Sequence, residues 1–494
     1  MTEAMISFGA KLGQHAVAQP EAPAVSCGAE TISYGALHRL SNRIARGLAA
    51  QGVKAGDLVT VGLPNSLGFV AACQAIWKLG ATPQPVSYRL PEGELAAIVA
   101  LAKSPLVVAD FGDAGPCPVF SVAALAALSA DESDLPDAVP PISKAPTSGG
   151  STGRPKLILS GQPGLTAALT PAVGPYGMRP DSTVMMPGPL YHNAPFTIAM
   201  NAMLLGAHLV LTPRFDAEGT LAEIAARRTD WVYLVPTMMT RIWRLPQAVR
   251  DGYDLRCVNT LWHMAAPCPP WLKEAFIHWF SAGEVMELYG GTEQQAVTII
   301  TGTEWLTHRG SVGKVVIGEM KILDDDGQVL PAGQVGEIYM RRTPGTPETY
   351  QYRGAEAKTT ADGWESLGDL GSFDKEGYLY LADRRTDMIL VGGSNVYPAE
   401  IEAALEEHPA VQSCAVIGLP DDDLGNRILA IVNVQGAVTA EDLRAHLATR
   451  LVTYKQPRGY EFVDDPVRDD AGKVRRTALR DARIAAAKTS AGSS

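Results

Sequence analysis

The stretch Thr147-Ser148-Gly149-Gly150-Ser151-Thr152-Gly153-Arg154-Pro155-Lys156 decides how the rest of the chain is read. Its glycines let backbone N–H groups approach an anion closely and adopt positive φ, its hydroxyls add adaptable donors, and Arg154 and Lys156 supply charge. A polyphosphate suits such a cradle. The composition alone also describes a flexible Ser/Gly linker, but Pro155-Lys156 runs straight into Leu157-Ile158-Leu159, which reads as a strand. Nor is this a Walker loop, because Pro155 separates the basic pair and no Ser or Thr follows Lys156.

Around this stretch lies a chain of 494 residues, long enough for two or three cores. With 46% hydrophobic and 19% charged residues it has the composition of an ordinary globular protein. A net charge of -11 argues against nucleic acid or an anionic membrane as the main partner, so an anionic ligand needs a local positive site. The six cysteines stand singly without a C-x-x-C pair, and the nine histidines show no metal spacing. Neither a disulfide framework nor a protein-held zinc is expected, and a reducing cytoplasm fits. Met1 to Gln19 carries Glu3, Lys11 and His15 and lacks the long apolar run of a signal peptide. Thr197 to Leu211 is too short to span a bilayer and reads as a buried helix and strand.

In chain order, Ser33 to Gly52 reads as an amphipathic helix capped by Ser33 and ended by Gly52. Leu58 to Leu63 reads as a strand, Leu67 to Leu79 as a helix, and Leu106 to Val108 as another strand. This alternation predicts a layered α/β domain with a mostly parallel sheet. Asp230 to Thr237 is a buried strand ending at a proline turn, and Thr260 to Met264 is a strand running into Ala265-Ala266-Pro267. Glu284 to Glu293 ends in Tyr289-Gly290-Gly291-Thr292-Glu293. There a ring, glycines, a hydroxyl and a carboxylate offer a stacking face, close backbone access, a phosphate donor and a hard-metal ligand. The same residues also describe a strand-to-helix turn capped by Thr292. His192, in Pro189-Leu190-Tyr191-His192-Asn193, and Lys473, at the tip of Asp469-Asp470-Ala471-Gly472-Lys473, would each be a packing or surface residue in isolation. Asp324-Asp325-Asp326-Gly327 lacks the ligand spacing of a calcium loop and reads as a solvated hairpin tip.

These motifs, in this order and over about Gln19 to Arg480, resemble the adenylate-forming superfamily of acyl-CoA synthetases, nonribosomal-peptide adenylation domains and luciferases. The family's T-S-G-[ST]-T-G-x-P-K loop differs here by a second glycine before Ser151, its Y-G-x-T-E motif coincides at every fixed position, and its T-G-D reads Leu367-Gly368-Asp369. The resemblance implies ATP, Mg2+ and coenzyme A as cofactors and an AMP-forming acid–thiol ligase as the activity. Thr147, Ser148, Gly149, Gly150, Ser151, Thr152, Gly153 and Lys156 would hold the phosphates. Ala265, Ala266 and Pro267 with Glu287, Leu288, Tyr289 and Gly290 would surround the adenine. Asp369 and Arg384 would take the ribose. Thr292 would lie near the α-phosphate and Glu293 on Mg2+, while Lys473 would bridge the substrate carboxylate and the leaving phosphate.

The resemblance also implies an architecture: a large N-terminal region (1–383) of α/β layers with a β-barrel-like portion, a hinge (384–386) centred on Thr386, and a small lid domain (387–494). The hinge position is usually Lys or Asp in the family, which leaves a charge-dependent hinge in doubt here. Residues 488–494 read as a disordered tail, and a homodimer is compatible with the family. Gly392 and Gly393 would line a pantetheine tunnel, with a plain hairpin turn as the alternative. His192 would gate the acyl pocket, walled by Phe196, Thr237, Met238, Ala265, Gly290, Gly291 and Val297. No basic residue stands out in that set, so a hydrophobic monocarboxylate, aromatic or bulky alicyclic, is expected. Fatty acids, a carrier-protein thiol in place of CoA, and a non-catalytic ATP-binding homologue are the alternatives.

Overall fold

Short apolar runs form strands buried on both faces when helices cover the sheet, and this chain has five of them side by side. His208–Leu211, Thr183–Met186, Trp231–Leu234, Thr260–His263 and Val285–Gly290 are all parallel neighbours. The computed structural model describes residues 5–112, 114–149, 155–166, 176–421, 423–469 and 472–491. Connecting helices, among them Asn193–Leu205, Ala217–Arg227 and Pro270–Trp279, carry apolar faces onto this sheet. After Val285–Gly290 the direction changes. Val297–Thr301, Ser311–Ile317, Leu379–Arg384, Glu365–Phe373, Gly336–Arg341 and Glu319–Leu323 continue the same sheet with antiparallel pairing throughout. Tyr289 therefore stands at the end of the last parallel strand, where an α/β sheet changes its connectivity and ligands commonly bind.

The barrel-like portion expected from the sequence is this antiparallel half. Its last strand, Glu319–Leu323, pairs only with Gly336–Arg341, so the sheet is an open path and no closed barrel forms among the described residues. A second parallel sheet contains Thr82–Pro85, Leu58–Gly62, Val107–Ala109 and Val119–Phe120. The expected helix at Ser33 spans Tyr34–Ala50; the Ser33 hydroxyl accepts the Ala36 N–H at 3.3 Å, and Gly52 follows at φ +89°.

Beyond residue 387 a separate core forms around Ile401, Leu405, Val416, Val432 and Leu443. It is built from the helices Pro398–Glu406 and Ala440–Ala448 and the strands Val411–Asp421, Gly425–Val434 and Gly459–Val463. The terminal helix Arg476–Ala491 runs through residues read as a tail from 488, so that reading is corrected as far as 491. No helix among the described residues is long and apolar enough to cross a membrane.

Gly310-Ser311-Val312-Gly313 enters a strand at a register shift, and Gly313 has φ +99° with its missing Cβ only 2.0 Å from the Ile299 carbonyl oxygen. Gly313→Ala combines forbidden φ with a backbone clash and is expected to cost at least ~3 kcal/mol, measured by urea unfolding against the wild type.

Candidate active site

The phosphate-loop stretch is held as a hairpin. Thr147–Gly149 pairs antiparallel with Pro155–Ser160, which pairs on its other edge with Tyr350–Arg353. Gln84 Nε2 donates to Thr147 Oγ1 at 2.7 Å. This regular pairing is not that of a linker. Gly150, Ser151, Thr152, Gly153 and Arg154 lie outside the described residues.

Lys156, on the return strand, points its ammonium at Glu293 Oε1 (3.6 Å) and over the Tyr352 ring (4.0 Å to the centroid). Tyr352 donates its hydroxyl to the same Glu293 oxygen at 2.5 Å. Glu293 is 5% exposed, and among the described residues its Oε2 accepts no hydrogen bond. One oriented carboxylate with a free oxygen fits Mg2+, which typically uses one or two carboxylates plus phosphate oxygens. Gly291 makes this turn feasible, since a Cβ there would lie 2.3 Å from Leu367 and 2.8 Å from Glu293 Oε2. Thr292 is half-buried in the same turn.

Asp369 lies on Glu365–Phe373 beside Arg384, the partner in the strand register. Tyr289 donates to Asp369 Oδ2 at 2.8 Å, and Arg384 Nε is 3.3 Å from Oδ1. Burial pushes the Asp369 carboxyl up while Arg384 and Tyr289 oppose it, and burial with Asp369 pushes the Tyr289 phenol well up. Tyr289 is thus a neutral ring fixed at its tip, and Asp369 an acceptor ready for hydroxyls. Ala265 adopts φ +76°, a left-handed conformation that costs a β-carbon residue about 1–3 kcal/mol and clusters at ligand sites. Ala265 and Pro267 are exposed and Ala266 is half-buried.

The structure brings Lys473 to this same cleft. The turn before it is closed by the Gly472 N–H on the Asp469 carbonyl (2.9 Å), and Gly472 adopts φ +76°. A Cβ on Gly472 would lie 3.2 Å from Thr237 Oγ1 and 3.7 Å from the Ala266 Cβ, so the loop sits directly on the small-residue turn of the large domain. The Lys473 side chain remains open to solvent in a cleft walled by protein. Its pKa is lowered, by desolvation first and by Arg384 next, with Asp469 and Glu293 opposing.

Other expected site residues are placed differently. Phe196 is 2% exposed and edge-on to Phe69 (6.3 Å) and Trp77 (6.2 Å), and Met238 is 2% exposed in the same core. Both are core side chains, which corrects their assignment to an open acyl wall: Phe196 packs on rings of the helix Leu67–Lys78, and Met238 is buried in the same core. Thr237 and Val297 are half-buried, as are Gly290 and Leu288. The Glu287 side chain is also turned away from ligand. It is buried in an ion pair with Lys273 (2.5 Å), with His263 Nδ1 at 3.9 Å, so only its backbone can serve the adenine site.

His192 is the N-cap of Asn193–Leu205, half-buried against Tyr191 (ring centroids 4.7 Å). Gly392 (φ 54°) and Gly393 (φ 83°) form the tight turn between Ile389–Val391 and Ser394–Val396, and both are exposed. Thr386 is exposed in a turn closed by the Asp387 and Met388 amides on the Arg384 carbonyl.

Sequence reasoning missed Tyr352 and Lys144. Tyr352 carries no motif of its own; its only signal is a ring in a strand that could pair with Leu157-Ile158-Leu159. Lys144 is buried and donates to Asn193 Oδ1 (2.7 Å) and to Thr197 Oγ1, one residue and one turn past His192. Desolvation lowers its pKa to about 7.

The profile of the AMP-binding enzyme family matches residues 12–350, and that of the AMP-binding enzyme C-terminal domain matches residues 400–473. A feruloyl-CoA synthase of an Amycolatopsis species is 30% identical over 93% of this chain and 96% of its own length. A long-chain-fatty-acid–CoA ligase of Mycobacterium tuberculosis is 29% identical, covering 91% of this chain and 93% of its own. Among solved structures, the o-succinylbenzoate CoA synthetase of Bacillus subtilis in complex with its acyl-adenylate intermediate superposes with a TM-score of 0.82 at 25% identity, over 97% of this chain and 99% of that one. With the motif geometry assembled in one cleft and both domains matched along the chain, this protein belongs to the AMP-binding enzyme family, the adenylate-forming acyl-CoA synthetases, and is an AMP-forming acid–thiol ligase.

Proposed function

We propose that this enzyme activates a hydrophobic monocarboxylic acid, aromatic or bulky alicyclic, as its acyl-adenylate and transfers the acyl group to CoA. The observation that carries the reading is the convergence of Lys473, Glu293, Lys156, Asp369 and Arg384, drawn from both domains, on one solvent-open cleft. In the first step Lys156 and the loop donors hold the β- and γ-phosphates. Asp369 accepts the ribose hydroxyls, Arg384 opposes the upward push of burial on the Asp369 carboxyl, and Tyr289 presents its ring to the adenine. Glu293 would hold Mg2+, which would neutralise charge on the phosphate oxygens. Lys473 stands where an attacking carboxylate oxygen and the α-phosphate must meet, so its ammonium offsets charge that grows in the transition state.

The small domain then turns about residues 384–386, withdraws Lys473 and brings Gly393 toward the thiol path. The domain division at 383 and 387, with Thr386 as pivot, belongs to this reading and is supported by the separate cores on either side.

The half-buried Ala194, Val297 and Gly290 near His192 and Tyr289 support an apolar acid. A second reading, an acid with a distal carboxylate, is favoured by Lys144, whose ammonium has two neutral partners and no carboxylate among the described residues. ATP-to-AMP conversion with CoA over aryl, alicyclic, fatty and dicarboxylic acids tests both. Turnover confined to aryl or alicyclic monoacids supports the first reading, and selectivity for diacids that is lost in Lys144→Met replaces it with the second. Turnover only with an added carrier protein overturns CoA as acceptor.

Lys473→Ala is expected to lower acid-dependent pyrophosphate exchange by ~10² to 10³ yet still convert a supplied acyl-adenylate and CoA to thioester; equal loss in both half-reactions removes Lys473 from the first step alone. Tyr352→Phe frees Glu293 from its hydroxyl donor and is expected to reduce kcat/KM for MgATP about tenfold, in keeping with ~1.5 kcal/mol for a hydrogen bond to a charged group. An unchanged value shows that Glu293 is oriented without Tyr352.

A further inference from the structure

The loop that carries Lys473 is tied down on both flanks by an arginine, and both arginines converge on one carboxylate. Arg468 Nη2 lies 2.6 Å from Glu402 Oε2, and Arg476 Nη2 lies 2.8 Å from Oε1 and 2.7 Å from Oε2. Arg468 also donates through Nη1 to the carbonyl oxygen of Gly472 at 3.2 Å, the peptide group that immediately precedes Lys473. Arg476, the first residue of the terminal helix, donates through Nη1 to Asp387 Oδ2 at 2.8 Å. Inside the loop the Asp469 amide bonds the Lys473 carbonyl (2.9 Å) and the Lys473 amide bonds Asp469 Oδ1 (2.8 Å).

Glu402 is 3% exposed, and its Oε1 accepts the Val416 N–H at 2.8 Å, so the keystone is locked to a strand as well as to its own helix. Burial pushes its carboxyl up, but Arg468, Arg476 and the Val416 amide outweigh this and hold it below the ordinary range. Asp383, Asp387 and Glu406 also face the cluster.

A buried ion cluster of this kind is a poor source of stability, because well-packed apolar residues usually serve as well or better. What it supplies is direction. Two guanidinium groups, each bound to one carboxylate through Nη2 and to a second acceptor through Nη1, fix both ends of a short loop, and a displacement of about 1 Å at a reacting group can cost 10²-fold in rate. Because Gly472 rests on Thr237 and Ala266, any shift of the loop is transmitted to the Lys473 ammonium.

We propose that Glu402 is a positioning residue for adenylation: through Arg468 and Arg476 it fixes the loop that delivers Lys473 to the cleft, and it matters only in the step that uses Lys473. This rests on the assignment of Lys473 given above. The test compares Glu402→Gln, Lys473→Ala and the wild type, using the acid of the panel above that turns over fastest and its chemically prepared adenylate. In Glu402→Gln, kcat for pyrophosphate exchange is expected to fall by ~10²-fold with KM for ATP nearly unchanged, while thioester formation from the supplied adenylate stays within about twofold.

A merely structural role would impair both half-reactions, since both use the small domain; equal losses, or an undiminished exchange rate, overturn the proposal. If Glu402→Gln does not fold, Arg468→Lys, which removes the Gly472 contact and the fork, is expected to show the same selective loss, and its absence overturns the proposal equally. Lys473→Ala separates the two failures. Exchange retained in that variant overturns the assignment of Lys473 and this inference with it, whereas exchange lost in Lys473→Ala but kept in Glu402→Gln overturns the positioning role alone.

Discussion

The helix Pro398–Glu406 is gripped at both ends by the large domain, and on this the placement of the small domain depends. Asp383, at the end of Leu379–Arg384, accepts the Ala399 N–H at 2.8 Å, and Arg244 donates to the Glu406 carbonyl at 3.2 Å. An anion at the helix N-terminus and a cation at its C-terminus both agree with the helix dipole, and each satisfies a backbone group that the helix leaves unpaired. The grip fixes one orientation, and in that orientation the Lys473 loop meets Thr237 and Ala266. The cleft is therefore complete only because two distant segments of chain agree on a single docking geometry.

Much of this was legible in the sequence, for a physical reason. Motifs that work through backbone, such as Thr147 to Lys156, Tyr289 to Glu293 and Gly472-Lys473, must carry glycines and hydroxyls at fixed spacing, and spacing survives in one dimension. The parallel strands were legible because residues such as Trp231-Val232-Tyr233-Leu234, covered on both faces, form unbroken apolar runs. What could not be read was any side chain whose role is set by a partner far along the chain. Tyr352 reaches Glu293 across 59 residues, and Glu402 meets Arg476 across 74; no local pattern encodes either pairing. Phe196 and Met238 failed for the complementary reason. An apolar residue beside a motif has the same appearance whether it faces a pocket or the core, and here both face the core.

The buried pair Lys273–Glu287 shows how the scaffold supports the cleft from within the core. Lys273 Nζ also lies 5.3 Å from the Trp305 ring centroid, and His263 is fully buried beside the pair, its pKa pushed well down by desolvation and by Lys273. A neutral imidazole beside a paired lysine and carboxylate leaves no net buried charge there. The pair links Pro270–Trp279 to Val285–Gly290, so an ion pair ties these two elements together inside the core.

Two exposed features mark which half of the cycle this arrangement serves. Lys473 is in the cleft, whereas the Gly392-Gly393 turn is solvent-exposed, and Gly393 has nothing within 4 Å of its missing Cβ. On the proposed reading both groups must visit the same cleft in turn, and the motion between them breaks the Asp383 and Arg244 contacts together. The pivot needs freedom of φ and ψ more than it needs a charge. On that reading Thr386 meets the need: it is exposed, and among the described residues its hydroxyl bonds only the adjacent Asp387 at 3.5 Å. A charged residue at this position would add a contact to one orientation; on the proposed reading that bias falls to Asp383 and Arg244, whose contacts hold the helix while Lys473 is in the cleft.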